Sequence, residues 1–223
     1  LMEAFPGVDE RAMGYAVRMS LPLCMVPEDT VYAYGADTAF ALASEWLGRV
    51  VPEDNRVEEL LLRYLAAFGP ASVQDAQCWT GLGKLKPVFD TLRPKLAVYR
   101  DEKGKELFDV PGAPLPDAAT PAPVRLLPGF DSAILGHQDR SRIMAEEHRP
   151  LVTTKNLQVL PTVLVDGFVA GTWDVTIRKA AVTIAVKTLR PFPAKAKKAV
   201  ETEAAALVRF LAGAGPRCEV TYI

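Results

Sequence analysis

The stretch FDSAILGHQDRSRIM, residues 130–144, gathers His137, Asp139, Arg140 and Arg142 within six positions. Imidazole titrates near neutrality and a carboxylate can fix its tautomer, so His137 and Asp139 are a candidate acid/base pair. The same residues suit a loop in which Arg140 and Arg142 hold a phosphate while Asp139 orients one of them. A loop that only shapes the fold is the third reading, and spacing does not choose among the three. A metal site is not expected: the chain has 2 histidines, His148 is remote from His137 in sequence, and no cysteine lies near either.

A second group of candidates runs from Lys84 to Lys105, where Lys84, Lys86, Arg93, Lys95, Arg100, Lys103 and Lys105 face only Asp90, Asp101 and Glu102. Lys84 and Lys86 mark the start of an expected helix, Arg93 its end, and Arg100, Lys103 and Lys105 an expected hairpin. That is where phosphates lie when a helix enters a major groove and a hairpin touches the backbone. The helix carries no Asn or Gln to read adenine, so sequence-specific readout is expected to be weak. A solvated face on a packing helix is the competing reading.

Phe168 follows Asp166-Gly167 and would be an exposed aromatic able to wedge into a groove, although a plain sheet hairpin explains the same residues. Gln74 and Gln77 suggest amide chemistry but fall on a helix, with Gln74 expected in solvent. No Gly-rich phosphate loop, GxSxG elbow or HExxH pair occurs.

The elements that must position these residues are legible from periodicity. Asp9 caps a helix over 9–20, and the apolar runs LPLCMV and VYAYG flank PEDT as a hairpin. Val57, Leu60, Leu61, Tyr64, Leu65 and Phe68 recur at helical spacing until Gly69-Pro70. Ser72 with Asp75 is a capping-box variant that opens a second helix, burying Val73, Ala76 and Trp79. A third helix starts near Gly83, with Leu82, Leu85, Val88, Phe89 and Leu92 buried and Pro87 tolerable only in its first turn. LAVYRDEKGKELFDV then makes a hairpin.

Residues 111–128 hold six prolines and read as a stiff connector. Beyond it the period changes to two. Asp166-Gly167 suits a type I′ turn, and Val169, Gly171, Trp173, Val175 and Ile177 should face one way while Thr172, Asp174, Thr176 and Arg178 face the other. AAVTIAVKTL gives another strand. A helix over 194–212 should bury Ala196, Val200, Ala204, Leu207 and Leu211, and RCEVTYI could return as a last strand.

The expected fold class is α+β: tandem winged helix-turn-helix units, the first incomplete, then a C-terminal antiparallel β-barrel-like domain with a C-terminal helix. The expected division is 1–52 for the partial unit, 53–110 for the complete one, 111–128 for the connector and 129–223 for the β-rich domain. The helices expected to lead the first unit would lie before Leu1, so this end is expected to expose apolar surface or to be completed by missing chain.

Net charge is −1 over 223 residues, but residues 1–69 hold 5 Lys/Arg against 11 Asp/Glu and residues 124–223 hold 14 against 9. A polyanion should therefore meet the C-terminal two thirds. No apolar run is long enough to span a membrane, and LMEAFPGVDERA has neither the basic start nor the apolar core of a secretory signal. Cys24, Cys78 and Cys218 are odd in number and widely spaced, which fits reduced thiols. A cytoplasmic monomer without membrane contact and without a cofactor is expected.

Taken together, EELLLRYLAAFGPASVQDAQCWTGL, the run from LRPKLAVYRDEKGKELFDV through GHQDRSRIM, and TVLVDGFVAGTWDV resemble the bacterial winged helix DNA-binding domain-containing proteins. That family includes DNA glycosylases acting on bulky N7-alkylated purines and interstrand crosslinks. The resemblance implies tandem winged helices and a β-barrel-like element around a concave basic surface for double-stranded DNA. By position it carries over the winged helix at 57–110, the loop from Asp131 to Arg142 and the hairpin from Asp166 to Trp173.

The expected DNA-contacting residues are thus Lys84, Lys86, Arg93, Arg100, Lys103, Lys105, Asp131, His137, Asp139, Arg140, Arg142, Lys155 and Phe168. In active members a Gln-x-Gln or Gln-x-Asp motif in the N-terminal part holds the hydrolytic water. Gln74 and Gln77 have the wrong spacing, so an N-terminally truncated member is expected, with no catalytic residue here and no base excision by these residues alone. A transcriptional regulator and a non-catalytic protein scaffold are the alternatives.

Overall fold

A computed structural model describes residues 3–29, 39–52, 55–213 and 215–223. The chain divides into two units, Leu1–Arg56 and Val57–Ile223. In the first, α1 (Glu10–Ser20) starts where the Asp9 carboxylate accepts the Ala12 N–H at 2.8 Å. The strand β1 (Leu23–Met25) pairs antiparallel with β2 (Phe40–Leu42), which leads into the short helix α2 (Ala43–Leu47). The expected second strand, VYAYG, lies outside the described residues. None of the described residues of this unit is buried, and Phe5, Tyr15, Met19, Leu47 and Val50 are exposed, as the apolar-surface expectation had it.

The second unit opens with three helices, α3 (Val57–Phe68), α4 (Val73–Thr80) and α5 (Lys86–Leu92). In α3, Leu61, Tyr64 and Leu65 are buried one helical turn apart, whereas Leu60 is exposed. The Tyr64, Phe68 and Trp79 rings pack together with centroids 5.2–5.7 Å apart. Ser72 and Asp75 form the reciprocal capping box at the start of α4. The next helix starts three residues later than its periodicity suggests, because Lys84 takes a left-handed φ of 57° and Pro87 falls in the first turn. Leu82 is consequently exposed, while Leu85, Phe89 and Leu92 are buried.

A hairpin of β3 (Ala97–Arg100) and β4 (Glu106–Asp109) follows, with Arg100 opposite Glu106. Its tip is fixed by the Asp101 carboxylate, which accepts the N–H groups of Lys103 and Lys105 at 2.9 and 2.8 Å. Phe108 on β4 stacks on Phe89 and closes the three-helix core.

The remainder is one five-stranded sheet in the order β5 (Arg125–Leu127), β6 (Thr162–Val165), β7 (Phe168–Ile177), β8 (Ala181–Thr188) and β9 (Arg217–Tyr222). Between β5 and β6 stand two single-turn helices, α6 (Ser132–Leu135) and α7 (Arg149–Val152). The helix α8 (Ala194–Ala212) links β8 to β9.

The sheet corrects the antiparallel barrel expectation. Strand β9 runs parallel to β8, because the helix between them carries the chain back to the same end, and β5 does not pair with β9. The sheet is therefore open and mixed. Ala196, Val200, Ala204 and Val208 of α8 pack on Val182, Ile184 and Val186, so Val208 takes the buried place assigned to Leu207 and Leu211, which are only half-buried.

Strand β7 departs from simple alternation. Val163 pairs with Gly171 and Leu164 with Val169, leaving Ala170 as a bulge. Val169 joins the core under the 130–160 segment, and Ala170 joins the core under α8. Thr172, expected in solvent, is buried because both sides of the sheet are covered at this point. The Asp166-Gly167 turn has φ of 53° and 76°, the two positive values that a type I′ hairpin requires.

Candidate functional site

An open groove of about 710 Å³ runs through the second unit between the β3–β4 hairpin tip, the 137–142 loop and the β6–β7 turn. Arg100, Lys103 and Lys105 line it from the hairpin, His137, Asp139 and Arg142 from the loop, and Phe168 from the turn. Residues far apart in sequence thus meet on one concavity. Phe168 is 46% exposed there.

The other expected residues lie elsewhere. Lys84 precedes α5 in its left-handed conformation. Lys86 is bound to Asp90 at 2.7 Å, and Arg93 makes a bidentate pair with Glu106 at 2.7 and 2.8 Å while lying over the Phe108 ring. Asp131 caps α6 through the Ala133 N–H at 2.7 Å. Lys155 is exposed in a turn after α7. Arg140 is half-buried, reaches Thr153 Oγ1 at 3.4 Å, and has a buried Nε without a partner among the described residues.

The acid/base reading of His137 and Asp139 is not supported by their bonds. The Ser141 hydroxyl, and then the Ser141 N–H that Asp139 accepts at 3.0 Å, hold the Asp139 carboxyl below the usual range. His137 Nε2 approaches the Phe68 carbonyl at 2.9 Å and also meets the Arg142 guanidinium. Burial, then the charge of Arg142, pushes the imidazole pKa down, so His137 is neutral near pH 7 and Arg142 carries the cation of this loop.

Four acidic residues, Asp75, Asp101, Glu102 and Asp139, also line the groove, so its formal charge is balanced against Arg100, Lys103, Lys105 and Arg142. Asp75, Asp101 and Asp139 accept hydrogen bonds from backbone N–H groups, which fix them in place without removing their charge, and Lys103 and Lys105 have no ion-pair partner among the described residues.

Sequence reasoning missed Asp75, which is 4% exposed, lines the groove and accepts the Gln138 N–H at 2.9 Å. Its signal was the Asp standing where a capping box usually has Glu. Gln77 is likewise spoken for, since its Oε1 accepts the Leu85 N–H at 3.0 Å, and Gln74 is exposed. Among the described residues no cluster of three His, Cys, Asp or Glu could hold a metal ion, and no helix is long and apolar enough to cross a membrane.

Fold and groove define a mixed α+β protein in which a helical core and an open sheet present cationic loops to one concavity. The chain belongs to the AlkZ-like DNA glycosylase family, whose sequence profile matches residues 1–210. It is 31% identical over 187 residues to the interstrand DNA cross-link repair glycosylase of Streptomyces sahachiroi, an alignment covering 77% of this chain and 47% of that protein. Among solved structures, the Streptomyces sahachiroi DNA glycosylase AlkZ superposes with a TM-score of 0.69 at 26% identity, covering 96% of this chain and 62% of the other. The chain therefore spans about half to two thirds of the length of these relatives.

Proposed function

We propose that this chain is a DNA-contacting part of an AlkZ-like repair glycosylase, gripping double-stranded DNA through its phosphates with little sequence specificity. One observation carries the reading: Arg100, Lys103, Lys105, Arg142 and Phe168, drawn from three separated segments, line the same groove. Backbone phosphates would be held by the Lys103 and Lys105 ammonium groups and by Arg142, and Phe168 would meet a base or sugar at the groove edge. In this reading α3–α5 with β3–β4 is a winged helix, and residues 1–52 are part of another. The segment 111–128 connects to the β-rich portion at 129–223, and the protein acts as a monomer.

The curated Streptomyces sahachiroi relative is named for interstrand DNA cross-link repair, which makes alkylated or crosslinked duplex the proposed substrate of the whole protein. No base-excising residue is assigned among these residues, and the cut itself is not ascribed to them. Duplex binding measured over a salt series tests the reading: log affinity should fall linearly with log salt, by about 0.9 per phosphate neutralised. Affinity that is independent of salt, or a sharp preference for one undamaged sequence, would defeat it.

A further inference from the structure

The capping box of α4 has an Asp where Glu or Gln is usual, and the shorter side chain has a second partner. Asp75 Oδ2 accepts the Ser72 N–H at 2.9 Å and the Ser72 hydroxyl at 2.5 Å, both local to the helix end. Its Oδ1 accepts the Gln138 N–H at 2.9 Å, 63 residues away. Helix capping needs only the first oxygen. The second is spent on the loop that carries His137 and Arg142 into the groove.

Other contacts dock the same loop on α3 and the residues after it. The Tyr64 hydroxyl donates to the Gly136 carbonyl at 2.7 Å, His137 Nε2 lies 2.9 Å from the Phe68 carbonyl, and Arg142 donates to the Pro70 carbonyl at 3.4 Å. Asp75 differs from these partners in being a buried carboxylate, and a charged acceptor makes the stronger hydrogen bond. It also lies between α4 and the groove that it lines.

We infer that Asp75 is a positioning residue for DNA contact: by fixing the Gln138 backbone it holds Arg142 over the groove, where the guanidinium can take a backbone phosphate. This rests on the DNA-contacting role proposed above. Without the Oδ1 bond the loop keeps its covalent course but loses its carboxylate anchor at Gln138, and the cation spends less time where a phosphate would lie.

The test compares wild type, Ser72→Ala, Asp75→Ala, Arg142→Ala and the Asp75→Ala/Arg142→Ala double variant. Each is titrated with a fluorescein-labelled undamaged duplex over a salt series, and the exchange rate of the Gln138 amide is measured without DNA. Ser72→Ala weakens the cap but leaves the Oδ1 bond, so it should lower the melting temperature and keep the wild-type affinity and salt slope. Asp75→Ala, which leaves no acceptor for the Gln138 N–H, should weaken binding by about the same factor as Arg142→Ala, roughly three- to tenfold at about 50 mM salt, and reduce the slope by about 0.9. It should also speed exchange at Gln138. The double variant should bind no more weakly than Arg142→Ala alone.

An Asp75→Ala protein with wild-type affinity and slope, losses that multiply in the double variant, or an unchanged Gln138 exchange rate would each overturn the positioning role. If Arg142→Ala leaves the slope unaltered while Gln138 exchange still quickens in Asp75→Ala, the DNA reading of this loop is what fails, and the positioning role falls with it. Should Asp75→Ala not fold, Gln138→Pro removes the same N–H from the loop side without touching α4, and the affinity and salt-slope outcomes apply to it unchanged.

Discussion

The hydroxyl of Tyr64 on α3 donates to the carbonyl of Gly136 at 2.7 Å, joining positions 72 residues apart where the groove loop meets the helical core. Tyr64 is 1% exposed, and burial pushes its phenol pKa up, so at neutral pH the hydroxyl is protonated and able to donate. Tyr64→Phe keeps the ring packing but leaves the Gly136 carbonyl without its donor. A loss of about 1–3 kcal/mol in urea unfolding is expected, with an unchanged denaturant slope.

Gly136 itself has no room for a side chain. A Cβ there would stand 2.7 Å from the Ser132 carbonyl oxygen and 3.1 Å from a Phe68 ring carbon. The carbonyl belongs to the α6 backbone and cannot swing aside as a side chain would. Gly136→Ala should therefore cost about 1–3 kcal/mol by the same unfolding measurement and loosen the loop that carries His137.

The acid side of the stability profile should depend on His137. Its pKa is held below the ordinary 6.5, first by burial and then by Arg142, so the unfolded chain binds the proton more readily. The contribution is complete above 6.5 and is lost as pH falls through the lower folded value. His137→Gln should flatten the decline in stability between about pH 7 and 5, as read from urea midpoints at several pH values.

Cations already engaged inside the protein should matter less to DNA than those that are not. Arg93, held bidentate by Glu106, should change duplex affinity by less than about twofold when replaced by Ala, as expected of a charge whose field is already neutralised. Replacing Lys103 and Lys105 together should reduce the salt slope by about 1.8, or about 0.9 each. Fluorescence anisotropy across a salt series reads both.

Phe168 is exposed on the β6–β7 turn, so Phe168→Ala should leave unfolding free energy within about 0.5 kcal/mol of wild type. If the ring meets a base, duplex affinity should fall roughly fivefold or more, the lower end of what an aromatic–base contact contributes. A change in stability without a change in affinity would remove Phe168 from the DNA surface.

The sequence by itself determined what depends on neighbours a few residues apart. Helical spacing in 57–68 and 194–212, the Ser72–Asp75 cap and the Asp166-Gly167 turn all stand where their local patterns put them. The 3.6- and 2-residue periods and the turn conformations are short-range properties, so they can be read along the chain. Tertiary structure alone decided that β9 runs parallel to β8, that Ala170 forms a bulge, that Thr172 is buried, and that, among the described residues, Lys86 and Arg93 have ion-pair partners while Lys103 and Lys105 have none. It also gave Asp75 its distant partner Gln138. Strand direction, charge pairing and a second hydrogen-bond acceptor are settled by groups brought together from remote parts of the chain, and no local period encodes which remote group arrives.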